Sequence, residues 1–97
     1  MAKYISLMTW TEQGVRNVRD TVHRAEQAKG ALAQAGVTLE HVFWIQGRYD
    51  LVAILDAPDD ATVAAAVLQL AMAGNLRTEM MRAFTAEEMG GIIAQIG

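Results

Sequence analysis

The chain has no cysteine and a single proline. Without thiols there are no disulfides, no thiolate metal sites and no cysteine nucleophile. No run of about 18 uninterrupted apolar residues occurs, so no transmembrane helix is expected. Lysine and arginine form no block. The two signs are mixed, the net charge is −3, and a nucleic-acid partner is not expected. The opening "MAKYISLMTW" has neither the long apolar run nor the small-residue cleavage site of a secretory leader. With the missing cysteines, this points to a cytoplasmic protein. G-x-S-x-G, H-E-x-x-H, the P-loop and the dinucleotide glycine motif are all missing. So are linkers, repeats and low-complexity segments.

What the chain has in abundance is apolar residues. They make up 53% of 97, against the roughly 45–50% usual even when glycine is counted. One domain over residues 1–97 has little interior in which to hide them. The excess predicts contact with further copies of the chain.

The pattern along the chain gives the architecture. Residues 3–10 alternate as a strand does. In 12–35, Val15, Val18, Val22, Ala25, Lys29 and Leu32 recur at three- and four-residue steps, which predicts one long helix. Thr9 or Thr11 caps its start and Gly36 ends it. Residues 37–46 and 49–57 predict strands joined by a two-residue type II′ turn at Gly47-Arg48. Asp59 is the expected N-cap of a helix over 60–73. Between Val63 and Ala73 only Gln69 is polar, so this helix is expected to be buried on more than one side. Residues 75–84 take the place of a fourth strand. Thr85 and Glu88 form a capping box for a closing helix with Met89, Ile92, Ile93 and Ile96 on one side.

The order β-α-β-β-α-β plus a C-terminal helix is the α+β, ferredoxin-like pattern. Its antiparallel sheet carries both long helices on one face and leaves the other bare. Here the bare face is apolar, and stacking two sheets to form a dimeric α+β barrel would cover it.

A tight turn at 47–48 puts Trp44 and Tyr49 on one face of the hairpin and Asp50 on the other. On the first strand Tyr4, Ser6, Met8 and Trp10 share a face, while Ile5 and Leu7 are expected beneath the helices. Trp10 and Trp44 would then flank a cavity under the open face, with Tyr49 at its rim and Arg77 attracting an anionic ligand. The expected ligand-binding set is Trp10, Trp44, Tyr49, Asp50 and Arg77. The structural alternatives are a plain turn at 46–50, a filled subunit core and an Arg77–Glu79 ion pair. His23 and Glu26, at i, i+3, have no second His–carboxylate pair, so no metal is expected. His41 is expected to pack beside Phe43 and Ile54. No cofactor is expected, and no catalytic residue can be assigned.

"MTWTEQG" at 8–14, "WIQGRYD" at 44–50, "APDD" at 57–60 and "GNLRTEMMRAF" at 74–84 together resemble the GYD-domain family nearly end to end. Its Gly-Tyr-Asp motif is interrupted here by Arg48. The resemblance implies a small stand-alone protein with a fold like the dimeric α+β barrels, and it brings no established activity. "GRYDLV" and "GNLRT" are also similar to the ligand-binding module of Lrp/AsnC regulators, which implies amino-acid binding between subunits. The leading expectation is a homo-oligomeric, non-catalytic module, dimeric or larger, that binds a small molecule or regulates, with its pocket near the subunit interface. A cofactor-independent monooxygenase or isomerase of the dimeric-barrel type, and a purely structural interaction domain, are the alternatives.

Overall fold

The computed structural model describes residues 1–97. Four antiparallel strands form one sheet in the order β2-β3-β1-β4: β1 (Ala2–Trp10), β2 (Thr38–Trp44), β3 (Leu51–Ala57) and β4 (Leu76–Ala83). Helices α2 (Thr21–Gln34) and α3 (Asp60–Ala71) lie on one face. This is the ferredoxin-like βαββαβ arrangement expected from the sequence.

The long helix expected over 12–35 is broken. A short α1 (Glu12–Arg16) ends at Asn17 (φ −101°, ψ 19°), and a 3-10 turn over Val18–Asp20 leads into α2. The cause is an anchor at the start of α1. Thr11 Oγ1 accepts from Gly14 N at 3.1 Å and donates to Gly74 O at 2.5 Å. Thr11 N donates to Asn75 O at 3.1 Å, and Gln13 Nε2 to Ala73 O at 2.9 Å. These bonds tie α1 to the α3–β4 loop, and the chain must turn before α2 can lie over the sheet. Val15 and Val22, which one continuous helix would align with Leu32, stay 56% and 58% exposed.

The larger core cluster joins Tyr4, Leu55 and Ala57 of the sheet to Leu32, Val37, Val63, Ala66 and Val67. Burial of each larger aliphatic side chain among these stabilises the fold by roughly 1.5–3 kcal/mol. Only 13 of 97 residues are buried, so much of the apolar content stays outside this core. Asp59 caps α3 as expected, its side chain accepting from Thr62 N at 2.7 Å. Leu68 and Met72, however, are 66% and 85% exposed. Within one chain α3 is therefore buried on one side only, contrary to the expectation for so apolar a helix.

The phase of β1 corrects the sequence reading. Tyr4, Ser6 and Met8 point into the helix layer and are buried, opposite Leu55, Ala53 and Leu51 of β3. Ile5 and Leu7 lie on the open face, not under the helices. Both faces of β1 are apolar at their centres, so alternation alone does not tell them apart. The charged ends do. Lys3 and Asp56, paired across β1 and β3, need water and set the parity of the open face.

Helix α4 (Ala86–Ala94) begins with the full capping box of Thr85 and Glu88. The Glu88 carboxylate sits below the usual range because it accepts from Thr85 N, with Arg82 assisting. The Arg82–Glu88 ion pair (3.3 Å) ties α4 to β4, and Met89, Ile93 and Ile96 remain 45%, 53% and 70% exposed. The radius of gyration is 14.6 Å, above the about 13 Å of a compact chain this long. No helix is long and apolar enough to cross a membrane.

Candidate functional site

The open sheet face is built in rows, because residues paired across antiparallel strands share a side. The strand registers give two central rows. One runs His41, Ile54, Ile5, Met81; the other runs Phe43, Val52, Leu7, Glu79. A bulge at Glu40, between Leu39 and His41, precedes both rows and leaves their parity intact. His41 and Phe43 stack with ring centroids 6.1 Å apart. Phe43 and Met81 are 55% and 42% exposed, a large apolar area for a face with no helix over it.

Charges bound this apolar centre. At one end Lys3 Nζ lies 2.5 Å from Glu40 Oε1 and 3.3 Å from Asp56 Oδ1. The hydrogen bond to Glu40, with the Asp56 carboxylate assisting, raises the lysine above its ordinary range against a desolvation that lowers it. At the other end Tyr49 Oη donates to Glu79 Oε2 at 2.8 Å, and the Arg48 guanidinium stands 5.7 Å from the Tyr49 ring centre. Arg77 follows Glu79 on the same face, opposite Thr9. The first end carries one excess negative charge and the second one excess positive charge.

The five residues singled out from the sequence do not form one pocket. Trp10 and Trp44 lie on the helix side of the sheet. Trp10 packs against the Met8, Leu51 and Ala53 cluster, and Trp44 Nε1 donates to Thr21 Oγ1 at 3.0 Å. The cavity they were expected to flank under the open face is therefore not there. Asp50 locks one end of the central β1–β3 pair: its N donates to Met8 O at 2.8 Å and its Oδ2 accepts from Trp10 N at 2.9 Å. Tyr49 and Arg77 alone share the open face.

Tyr49 parts from Trp44 because the hairpin is wider than a two-residue turn. Residues 45–50 lie outside the strands, the last backbone bond is Ile45 N to Asp50 O at 2.8 Å, and Gly47 takes φ +126°. Glu79 is engaged by Tyr49, not by Arg77 as the ion-pair alternative supposed. The Tyr49–Glu79 link carried no local sequence signal, since 30 residues separate the partners.

A pH dependence follows from this face. The hydrogen bond to the Glu79 carboxylate, with desolvation, raises the Tyr49 phenol above 10.0. Buried Tyr4 is raised likewise by its hydrogen bond to Asp60. A group raised on folding stabilises fully below its unfolded value, and that contribution is lost as pH rises through the folded value. The melting temperature should therefore fall steeply above about pH 10. The doubly substituted Tyr4→Phe/Tyr49→Phe protein should show a shallower fall over the same range. Equal slopes would show that neither bond survives in solution.

Comparison with known proteins places the chain. The family model described as GYD domain matches residues 4–93. A Thermus thermophilus protein named "Glutamine synthetase and cystathionine beta-lyase binding protein" is 30% identical over 90 residues, covering 92% of this chain and 95% of the relative. The crystal structure of TTHA0845, also from Thermus thermophilus, is similar at TM-score 0.56 and 26% identity, over 89% of this chain and 96% of that one. The crystal structure of FFRP-DM1 matches at TM-score 0.57 over 87% of this chain and all of that one, and at 17% identity it supports the fold alone. With a match spanning nearly its whole length, the chain belongs to the GYD-domain family.

Proposed function

We propose that the protein is a non-catalytic, regulatory binding module that pairs with a second copy through its open sheet face and, as a dimer, docks onto metabolic enzymes. The observation that carries the pairing is the two-row apolar face centred on Ile5 and Ile54, with opposite excess charge at its ends. Stacked sheet to sheet with strands running oppositely, each Lys3–Glu40–Asp56 end meets the Arg48–Arg77 end of the other copy. Apolar rows then cover apolar rows, and complementary potentials fix the register. On this reading Tyr49 and Arg77 belong to the seam, and any small molecule bound between subunits would meet them there.

The enzyme-docking part rests on the relative whose name states that it binds glutamine synthetase and cystathionine beta-lyase. Leu68 of α3 and Met72 just after it stay outside the proposed seam and offer an exposed apolar contact for such a partner. The test uses purified protein with purified glutamine synthetase and cystathionine beta-lyase from the same source, titrated by calorimetry. Micromolar or tighter binding of either enzyme is expected, weakened at least tenfold by Leu68→Glu/Met72→Glu. No heat with either enzyme removes the docking role. A single-chain mass at high concentration removes the pairing.

A further inference from the structure

We infer that helix α4 is an arm whose apolar stripe packs on a second copy of the chain, at the hairpin end of that copy's open face. The inference deepens the pairing proposed above and rests on it. Helix α4 follows β4, whose last residue, Ala83, is paired with Lys3. It therefore leaves the sheet at the end that, in the paired arrangement, meets Tyr49 and Arg77 of the other copy.

Within one chain the stripe has nothing to lie on. No residue of α4 is buried. Glu88 holds the helix to Arg82 at 3.3 Å, and Ile92, one turn further on and on the same side, is half-buried. Met89, Ile93 and Ile96 follow at i, i+4 and i+7, about a quarter turn round the helix, and stay exposed. The far side carries Glu87, Gly91 and Gln95. The helix is thus two-faced, and its apolar face is the one turned away from its own chain.

The surface of the whole molecule agrees. A folded single chain of this size exposes about 5,400 Å², and this one exposes 6,528 Å². The excess of about 1,100 Å² is more than the about 800 Å² that each partner of a stable interface buries. The molecule is 52 Å long, although its longest strand, of nine residues, spans only about 30 Å. A shape so extended lets one end reach a neighbour.

Charge makes the neighbour a second copy. Glu87 in the first turn of α4, and Arg48 and Arg77 at the hairpin end, make no ion pair in their own chain. The pairing brings these opposite signs to one place. Two-fold symmetry repeats the contact at the other end of the seam. The enzyme partners play no part in it.

The test uses the full chain. Isotope-filtered NOE spectra of an equal mixture of carbon-13-labelled and unlabelled protein should connect the Met89 and Ile93 methyl groups of one copy to the Tyr49 ring of the other. Met89→Gln/Ile93→Gln keeps good helix formers and adds no charge. It should weaken the dimer about a hundredfold in light scattering across a dilution series. The same pair, added to Ile5→Lys/Ile54→Glu, which charges the centre of the open face and breaks the seam, should leave the melting temperature unchanged. The arm is overturned and the seam kept if the parent is a dimer but the methyl groups touch only their own chain, or if the glutamine pair leaves dimer affinity unchanged. A lower melting temperature in the broken-seam protein also overturns the arm, since the stripe would then pack on its own chain. A single-chain mass for the parent removes arm and seam together.

Discussion

The Ile5→Lys/Ile54→Glu protein is expected to be folded and monomeric. Ile5 and Ile54 are directly paired across β1 and β3 at the centre of the open face. In one chain the new lysine and glutamate lie side by side in water, where an opposite-charge pair on a sheet is neutral to mildly stabilising. In a sheet-to-sheet dimer both charges from each copy would enter the middle of the seam. Desolvating ions costs several kcal/mol each and is recovered only with good geometry. Association should therefore weaken by about a thousandfold or more, since each 1.4 kcal/mol is tenfold. Light scattering across a dilution series should report the single-chain mass for the variant and twice that for the parent, with matching circular dichroism. A variant that keeps the parent's mass would place the interface elsewhere.

Glycine-to-alanine exchange is expected to act with opposite sign at two positions. At Gly14, buried in α1, an added Cβ would fall well inside van der Waals distance of the Asn75 carbonyl and close to the Trp10 ring. That carbonyl is backbone, already bonded to Thr11 N, and has nowhere to go. Overpacking of this kind costs about 1–3 kcal/mol, and the rigid neighbour puts Gly14→Ala at or above the top of that range. At Gly30, in the middle of α2, a Cβ meets nothing within 4 Å. There the exchange should add about 0.5–1 kcal/mol, because alanine loses less backbone freedom in a helix. Urea midpoints of both variants test the contrast. A Gly14→Ala protein as stable as its parent would mean that α1 is not clamped to the α3–β4 loop.

Most of the architecture was legible because it rests on period and punctuation. Asp59, Thr85 and Glu88 mark helix starts by local chemistry, and each caps where expected. The break at Asn17 was not legible, since it answers to bonds from Thr11 and Gln13 to residues about 60 positions away. Alternation along β1 suggests the reverse of its actual faces. Ile5 and Leu7 are as apolar as Tyr4 and Met8, and the weaker cue at Lys3 and Asp56 was the one that decided. The candidate site divided for a related reason. Tyr49 lies beyond the ladder that ends at Leu51, so its side follows turn geometry that composition does not encode.

Helix α4 has nine residues, two of them adjacent glycines. Isolated helices shorter than about 12–15 residues are marginal in water even in favourable sequences. Its folding is thus coupled to whatever covers Met89, Ile93 and Ile96. If a neighbouring copy is the cover, helicity at this end becomes a function of how many copies are present, and the tail reports the abundance of its own protein. Amide exchange there should slow as concentration rises.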